Sequence, residues 1–600
     1  MRDWLSHRAR IEPHAPALLV AESGDAFSFG NLDTLVDDLA GRLAAAGVHQ
    51  EMHLGAVLSS RLEYVCLVHA AMRLGVTLVP MGDGLTAREL ARQIETADVD
   101  AVVCGAETEE VVVDAAEAVD DESADGDESA DGDESADGDV SVDSDVSVDG
   151  DASVDSASAG DPSAGDPSAD DAPDEAVPEL LLTVDEPTTD AAEPLSDFLA
   201  DPVTPAEWSL DDCQLLLFTS GTTGNPKAIQ LTTGNLLVSA IASVFRLGFD
   251  PADRWHVTLS LHHMGGIAPI LRMPLYGMTV LFRTSFDAAT VADDLDRYDA
   301  TAISLVPTML RRMLDSRGTL SDSLRVVLLG GAPAPTDLVE RCRDYSIPVH
   351  PTYGMTETAS QIATARPNEA YEFPDTVGRP LFMTDVTAIG EDGEPLPAGE
   401  SGELVVAGPT VTPGYYGDSE ANTEAFGHYG LHTGDVGVFD DEGLLRILNR
   451  VDDRIVTGGE NVEPGEVVDV LVEHPAVRDA AVVGVPDAQW GERVSAVVVP
   501  ETGATTDSSD VPADSPDAPV DPPDAPTDSP DALAEGDAAD AGTDALDRGE
   551  LLDFARDRLA GFKLPKTITV VDSLPRTVSG TVDREAVREI VSEQTADSDE

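Results

Sequence analysis

Lysine is nearly absent from this chain. Of its 35 basic residues only three are lysines, Lys227, Lys563 and Lys566, against 115 acidic residues and a net charge of −80. A surface with so few cations offers no basic patch, which excludes nucleic acid as an expected partner. Aromatic residues make up only 4% of the sequence, so the core must be largely aliphatic, and a hydrophobic content of 42% is ample to build one. The four cysteines, Cys66, Cys104, Cys213 and Cys342, stand singly with no metal-ligand or redox spacing, and read as small buried hydrophobes. No run of about 18 apolar residues occurs, so no membrane span is expected. The segment Met1–Arg8 has no apolar h-region, and a cytoplasmic location is the expectation.

The acidic excess is distributed in two ways. Residues 106–200 hold 33 acids and no Lys or Arg, with Asp-Glu-Ser-Ala-Asp-Gly repeated from 121, 127 and 133. Residues 501–545 hold 13 more acids among Pro, Ala, Thr and Ser. Neither composition buries enough apolar surface to offset ordering entropy, so both stretches read as disordered acidic inserts. They account for 46 of the 80 net negative charges, and the remainder lies on the folded parts. Global acidity with lysine depletion suits a halophilic protein, because at about 1 M salt the Debye length is about 3 Å and self-repulsion is screened.

Six hundred residues exceed a single core. Outside the inserts, helical and strand-like patterns alternate, the mark of α/β layering. Leu32–Leu43 carries apolar residues at helical spacing, with Gly47 as a stop, and Asp100–Cys104 reads as a buried strand. The last 150 residues read as a small α+β unit. Its strands are Ala480–Val485 and Val494–Val499, followed after the second insert by a helix over Leu551–Leu559. The expected organisation is α/β overall: a large N-terminal domain over 1–449 interrupted by 106–200, and a small C-terminal domain over 450–600 interrupted by 501–545.

One segment carries most of the chemistry. Leu215-Leu-Leu-Phe-Thr-Ser-Gly-Thr-Thr-Gly-Asn-Pro-Lys227 runs an apolar strand into hydroxyls, glycines and one of the three lysines. Glycines let backbone N–H groups approach a polyphosphate, hydroxyls donate, and lysine adds charge. The spacing Gly221-x-x-Gly224-x-x-Lys227 is not that of a Walker A loop. It resembles the phosphate-binding signature of the adenylate-forming superfamily, which holds acyl-CoA synthetases, luciferases and peptide-synthetase adenylation domains. Further segments resemble that family's motifs in its order: Gly330-Gly-Ala332, Tyr353-Gly-Met-Thr-Glu357, His432-Thr-Gly-Asp435, Arg450–Asn461 and Gly561-Phe-Lys-Leu-Pro-Lys566. The likeness covers nearly all of the chain outside the inserts.

The resemblance implies roles. Thr219, Ser220, Gly221, Thr222, Thr223, Gly224 and Lys227 would cradle the phosphates of ATP. Gly331, Ala332 and Tyr353 would hold adenine, Tyr353 by its flat π face. Thr356 would donate to the α-phosphate, Glu357 would hold Mg²⁺, which wants oxygen ligands, and Asp435 and Arg450 would bind the ribose. Asp452 would be the hinge of a domain rotation, with Gly458 and Gly459 lining the path of the attacking thiol. A small-molecule carboxylic acid, ATP and coenzyme A are thus the implied partners, and acyl-adenylate followed by acyl-CoA the implied products.

The segment Ser260–Arg272 resembles the acyl pocket of o-succinylbenzoate–CoA ligases of menaquinone synthesis, on His263, Gly266 and Arg272. A substrate with a second carboxylate gains from a cation in its pocket. Arg272 is either that cation or a structural arginine. His263 reads as a pocket wall or carboxylate partner, and His262 as structural. A CoA ligase for another aryl or short acyl acid, an enzyme loading a carrier protein, and a nucleotide-binding regulator are the alternatives. The last arises from one departure: where the family pattern P-R-T-x-S-G-K-x-x-R has a lysine, Pro575–Arg584 has Thr581. Losing one transition-state donor lowers a rate by about 10²–10³-fold, unless Lys563, Lys566 or Arg576 substitutes.

Overall fold

The computed structural model describes residues 1–126, 178, 180–219, 226–453, 455–457, 460–462, 464–487, 490–501, 548–556, 558–559, 561–576 and 582–598. They divide into two compact units. The first holds Met1–Thr387, Val405–Thr433 and Glu442–Leu445, and the second holds Ala388–Leu404, Gly434–Asp441 and Arg446–Glu600.

Two sheets build the first unit. The nine-stranded sheet runs Arg379–Pro380, Ser360–Thr364, Val349–Met355, Val326–Leu329, Ala302–Leu305, Arg254–Val257, Thr279–Phe282, Pro16–Val20, Ala26–Ser28. Its six strands from Val349–Met355 to Pro16–Val20 are parallel. Val326–Leu329, Ala302–Leu305 and Thr279–Phe282 are buried at every residue, as parallel strands covered on both faces should be. The chain leaves Arg254–Val257 for a neighbour on one side, Thr279–Phe282, and returns to the other side at Ala302–Leu305. That reversal is a topological switch point, where α/β sheets open a crevice at the carboxyl ends of their strands.

The seven-stranded sheet runs Glu193–Pro194, Leu180–Thr183, Ala101–Cys104, His53–Val57, Thr77–Met81, Cys213–Thr219, Lys227–Thr232. All its pairs are parallel except the last, an antiparallel hairpin in which Thr219 faces Lys227. The expected helix over Leu32–Leu43 spans Phe29–Ala45, started by a capping box of Ser28 and Asn31. It buries Phe29, Leu32, Val36 and Leu43 completely, each stabilising the fold by about 1.5–3 kcal/mol. Gly47 follows with φ +107°, a conformation that favours glycine.

The first acidic insert is narrower than its composition suggests. A helix over Glu109–Gly126 starts inside it, with Val112, Ala115 and Val119 buried at helical spacing. Glu109 accepts hydrogen bonds from the backbone N–H groups of Thr188, at 2.9 Å, and Thr189, at 2.6 Å. Leu180–Thr183 then pairs with Ala101–Cys104. Composition averaged over 95 residues hid these short periodic segments at the two ends. The rest of the predicted disorder, at 127–177 and 502–545, lies outside the described residues.

In the second unit, Val477–Asp487 and Gly491–Pro500 form an antiparallel pair, and Thr567–Val570 lies parallel to the latter. Alternate residues of the first strand feed two cores: Ala480 and Val482 join Val467, Leu471 and Leu551, whereas Ala481, Val483 and Val485 join Leu574, Val587 and Val591. This is the expected small α+β unit. Among the described residues no helix is long and apolar enough to cross a membrane.

Candidate active site

In the first unit, several of the predicted residues lie at or just beyond the carboxyl ends of the parallel strands. Val326–Leu329 runs into Gly330, Gly331 and Ala332. A Cβ on Gly330 would stand 2.7 Å from Thr352 Cγ2, so the bare glycine lets this turn lie against the residue before Tyr353. Gly331, at φ +77°, lies close to Val306, which follows the neighbouring strand. Val349–Met355 continues through Tyr353 into a hairpin whose tip, Thr356–Thr358, is a 3-10 turn. A Cβ on Gly354 would meet Ser360 O at 1.8 Å, so only glycine fits there. Ala359 and Ser360 hold φ +52° and +125°, a strained backbone beside the turn.

At that tip Glu357 is 6% exposed. Tyr415 donates from its phenol to Glu357 Oε1 at 3.2 Å, and Thr412 N–H donates to Glu357 O at 2.7 Å. The Tyr415 ring also lies under Lys227, whose Nζ is 5.0 Å from its centroid. Among the described residues no carboxylate pairs with Lys227. The structure thus brings Lys227 and Glu357 to one side chain, Tyr415, which sequence reasoning missed. A signal existed: Pro413-Gly-Tyr-Tyr416 places two of only nine tyrosines after a turn pair. Thr219 ends its strand opposite Lys227, while Ser220, Gly221, Thr222, Thr223 and Gly224 lie outside the described residues.

The predicted acyl segment follows the strand Arg254–Val257. His263 stands at the N-cap position of the helix Met264–Tyr276, without a side-chain capping bond. A Cβ on Gly266 would stand 2.2 Å from Ser260 O, so that helix turn packs directly on backbone. The rings of His262 and His263 meet edge-on at 4.3 Å. Burial, with His263 beside it, pushes His262 down to about 4, and burial lowers His263 too, so both are neutral near pH 7. Arg272 lies in the interior at 3% exposure, donating to Ser239 Oγ at 2.9 Å and Ser243 Oγ at 3.3 Å. Ser239 in turn donates to Ala359 O at 2.6 Å, which links Arg272 to the turn bearing Glu357. No carboxylate pairs with Arg272 among the described residues, and burial lowers its pKa. A cavity of about 10 Å³ adjoins it, with room for about one water.

In the second unit, Arg450 Nη1 lies 3.4 Å from Asp435 Oδ1, so the predicted ribose pair comes together. Asp452 sits in the 3-10 turn Val451–Asp453. Its neighbour Asp453 pairs with Arg584 at 2.7 Å and Arg588 at 3.8 Å, on the last helix. Gly458, Gly459 and Thr581 lie outside the described residues. Of the cations that could replace the missing lysine, Lys563 pairs with Glu466 at 2.5 Å and Arg576 with Asp479 at 2.7 Å. Among the described residues, Lys566 Nζ donates to Gly561 O at 3.4 Å and pairs with no carboxylate.

A family model described as AMP-binding enzyme matches residues 5–416, and the AMP-binding enzyme C-terminal domain matches residues 466–514. The chain belongs to the AMP-binding enzyme family. Its relatives include a 2-succinylbenzoate–CoA ligase of Bacillus subtilis (strain 168), 31% identical over 98% of this chain and 97% of that protein. Another, from Bacillus licheniformis, is 32% identical over 96% and 97%. Among solved structures, o-succinylbenzoate CoA synthetase (MenE) from Bacillus subtilis, in complex with the acyl-adenylate intermediate OSB-AMP, matches with a TM-score of 0.73 at 28% identity, covering 98% of both chains. The same enzyme in complex with ATP and magnesium ion matches equally well over 99% of both. For an AMP-binding enzyme, the large α/β first domain and small second domain are the family architecture, and the chain is an AMP-forming acid–CoA ligase by the company it keeps.

Proposed function

We propose that this chain joins 2-succinylbenzoate to coenzyme A in menaquinone biosynthesis, through an acyl-adenylate made from ATP. The observation that carries this reading is the near full-length likeness to 2-succinylbenzoate–CoA ligases, together with His263, Gly266 and Arg272 in the segment after Arg254–Val257. In the first half-reaction a substrate carboxylate oxygen attacks the α-phosphorus and the bond to pyrophosphate breaks. In the second, a thiolate attacks the acyl carbon and AMP leaves. Both are helped mainly by positioning and charge.

The residues divide the work. Lys227, with Thr219–Gly224, steadies the β- and γ-phosphates. Thr356 donates to the α-phosphate, Tyr353 and the turn Gly331–Ala332 hold the adenine, and Asp435 and Arg450 take the ribose. Glu357 fits a Mg²⁺ site as a buried carboxylate that accepts from the Tyr415 phenol. No cluster of three or more metal-binding side chains exists among the described residues, which suits an ion held by one carboxylate plus phosphate oxygens. Bound Mg²⁺ neutralises phosphate charge. Arg272 supplies positive charge for the second carboxylate of the acid, with His263 at the pocket wall. Its small adjoining cavity means that neighbouring side chains shift to admit that carboxylate, or that the charge acts through Ser239. A rotation at Asp452, between a first domain over 1–449 and a second over 450–600, would exchange the two half-reactions and bring Gly458 and Gly459 to the thiol path. Use of ATP and CoA suits a cytoplasmic location, and the acidic composition suits a salt-rich one.

The test is pyrophosphate release in about 2–3 M KCl, where the Debye length is below about 3 Å, with Mg-ATP and 2-succinylbenzoate, with and without CoA. Release with thioester formation supports the reading. Release with benzoates or short fatty acids but not this acid moves the specificity. ATP binding with no release from any acid marks a nucleotide binder disabled at Thr581.

A further inference from the structure

Tyr415 falls in none of the motifs above, yet it touches both charged groups on the phosphate side of the proposed site. Its phenol donates to Glu357 Oε1 at 3.2 Å, and Lys227 Nζ sits 5.0 Å from its ring centroid. The side chain is 9% exposed, so the arrangement is not a surface accident.

The segment around it is built to hold it there. Tyr415 N–H donates to Asn422 Oδ1 at 2.7 Å, and Asn422 Nδ2 returns a bond to Tyr415 O at 2.8 Å. Tyr415 bridges Ile229, and Tyr416 N–H donates to Ala228 O at 2.8 Å, which fastens the segment to the strand that starts at Lys227. Gly414, at φ +147°, allows the approach, because a Cβ there would stand 2.4 Å from Asn422 Oδ1.

A lysine and a buried carboxylate gathered on one side chain are natural partners, and pairing would cancel both charges. Tyrosine prevents that without adding charge. Its phenol is a donor that orients the carboxylate and adds no charge beside it. Its π face attracts the ammonium through the ring quadrupole and supplies no counter-ion. We propose that Tyr415 is a positioning residue that keeps Lys227 and Glu357 from neutralising each other, aiming the ammonium at phosphate oxygens and the carboxylate at the magnesium ion. This rests on the Mg-ATP reading of the site.

The experiment separates phenol from ring. Wild type, Tyr415→Phe and Tyr415→Leu are compared by calorimetric titration with ATP in molar KCl, once with Mg²⁺ and once with EDTA, with thermal midpoints as a folding control. Tyr415→Phe is expected to bind metal-free ATP like the wild type and to lose about tenfold of the enhancement that Mg²⁺ gives, the scale of one hydrogen bond to a charged group. Tyr415→Leu should weaken metal-free binding as well. An undiminished Mg²⁺ enhancement in a folded Tyr415→Phe overturns the inference while leaving the enzyme reading intact. A wild type whose ATP binding does not respond to Mg²⁺ overturns the Mg-ATP reading, and the inference falls with it.

Discussion

Arg450 reaches Asp435 across the space that Gly434 leaves bare. Arg450 Nη1 lies 3.4 Å from Asp435 Oδ1, and a Cβ on Gly434 would stand 2.8 Å from Arg450 Nη2. Gly434 also holds φ +67° and donates from its N–H to Glu403 Oε1 at 3.2 Å. Gly434→Ala therefore strains the backbone by about 1–2 kcal/mol and pushes the guanidinium aside. The expected result is an ATP affinity about tenfold weaker with a modestly lower thermal midpoint. Asp435→Ala should weaken ATP further with little loss of midpoint. Calorimetric titration with ATP beside a thermal melt checks both, and an unchanged affinity in Gly434→Ala would detach the pair from the ribose.

The replacement of the usual lysine by Thr581 makes a sharper prediction. Lys563 and Arg576 are committed to Glu466 and Asp479, so their charges are already matched. Lys566 has no carboxylate partner among the described residues. It is the cation best placed by its freedom to serve adenylation. Lys566→Ala should lower acid-dependent pyrophosphate release by about 10²–10³-fold, with Lys563→Ala and Arg576→Ala much milder. Thr581→Lys should raise the rate of that half-reaction and leave thioester formation from preformed acyl-adenylate unchanged. Equal rates in Lys566→Ala and wild type would remove Lys566 from the chemistry.

These positions show what the sequence carried and what it did not. Short apolar runs bounded by turns located the strands Ala101–Cys104 and Val477–Asp487, because burial on both faces leaves a contiguous signal. Motif order singles out Glu357, Asp435 and Arg450; Glu357 follows the strand Val349–Met355, whereas Asp435 and Arg450 lie within the strands Gly430–Phe439 and Leu445–Arg450. Tyr415 escaped because its role depends on a loop folding back onto the strand Lys227–Thr232, a long-range pairing with no local period. Arg272 stayed ambiguous because its helix, with two prolines, is buried on nearly all faces and shows no polar side to betray direction. The edges of the first acidic insert are ordered because the short periodic segments Glu109–Gly126 and Leu180–Thr183 bury apolar side chains within an otherwise acidic stretch, where overall composition masks so short a period.

Acid should destabilise the fold in two stages. His69 and His350 are buried, and burial pushes each down to about 4, helped by Arg73 at His69 and by Arg325, Arg366 and Arg246 at His350. Each stays neutral in the folded chain and is protonated in the unfolded one below about pH 6.5. Their stabilisation is full above about pH 6.5 and is lost as pH falls toward about 4, on the order of 3 kcal/mol each. Asp253 and Asp294 are held below the usual carboxylate range by Arg325 and by His256 and Arg283 respectively, against the opposing effect of burial. What they contribute is present above about pH 4 and disappears below it. Thermal midpoints in molar KCl should fall from about pH 6.5 to 4 and then more steeply. A midpoint flat from pH 7 to 5 would contradict the buried neutral histidines.

Salt should act in the opposite direction to its effect on an ordinary protein. Screening weakens exposed ion pairs, but the most buried pair here, Arg73 with Asp3, has side chains 2% and 0% exposed and is largely sheltered. Against that small loss stands the self-repulsion of a chain with 115 acids and 35 bases, which falls as the Debye length shortens from about 10 Å at 0.1 M to about 3 Å at 1 M. ATP and CoA are anions approaching a surface of the same sign, so their association gains too. Both the thermal midpoint and kcat/KM for ATP should rise steeply with KCl up to about 1 M and level off beyond it, where little repulsion is left to screen. Replacing KCl by sucrose at equal osmolarity should restore stability without restoring kcat/KM, because excluded solutes favour compactness but do not screen charge. A flat KCl profile from dilute buffer upward would mean that the excess charge is neutralised by something other than salt, and the halophilic reading would fail.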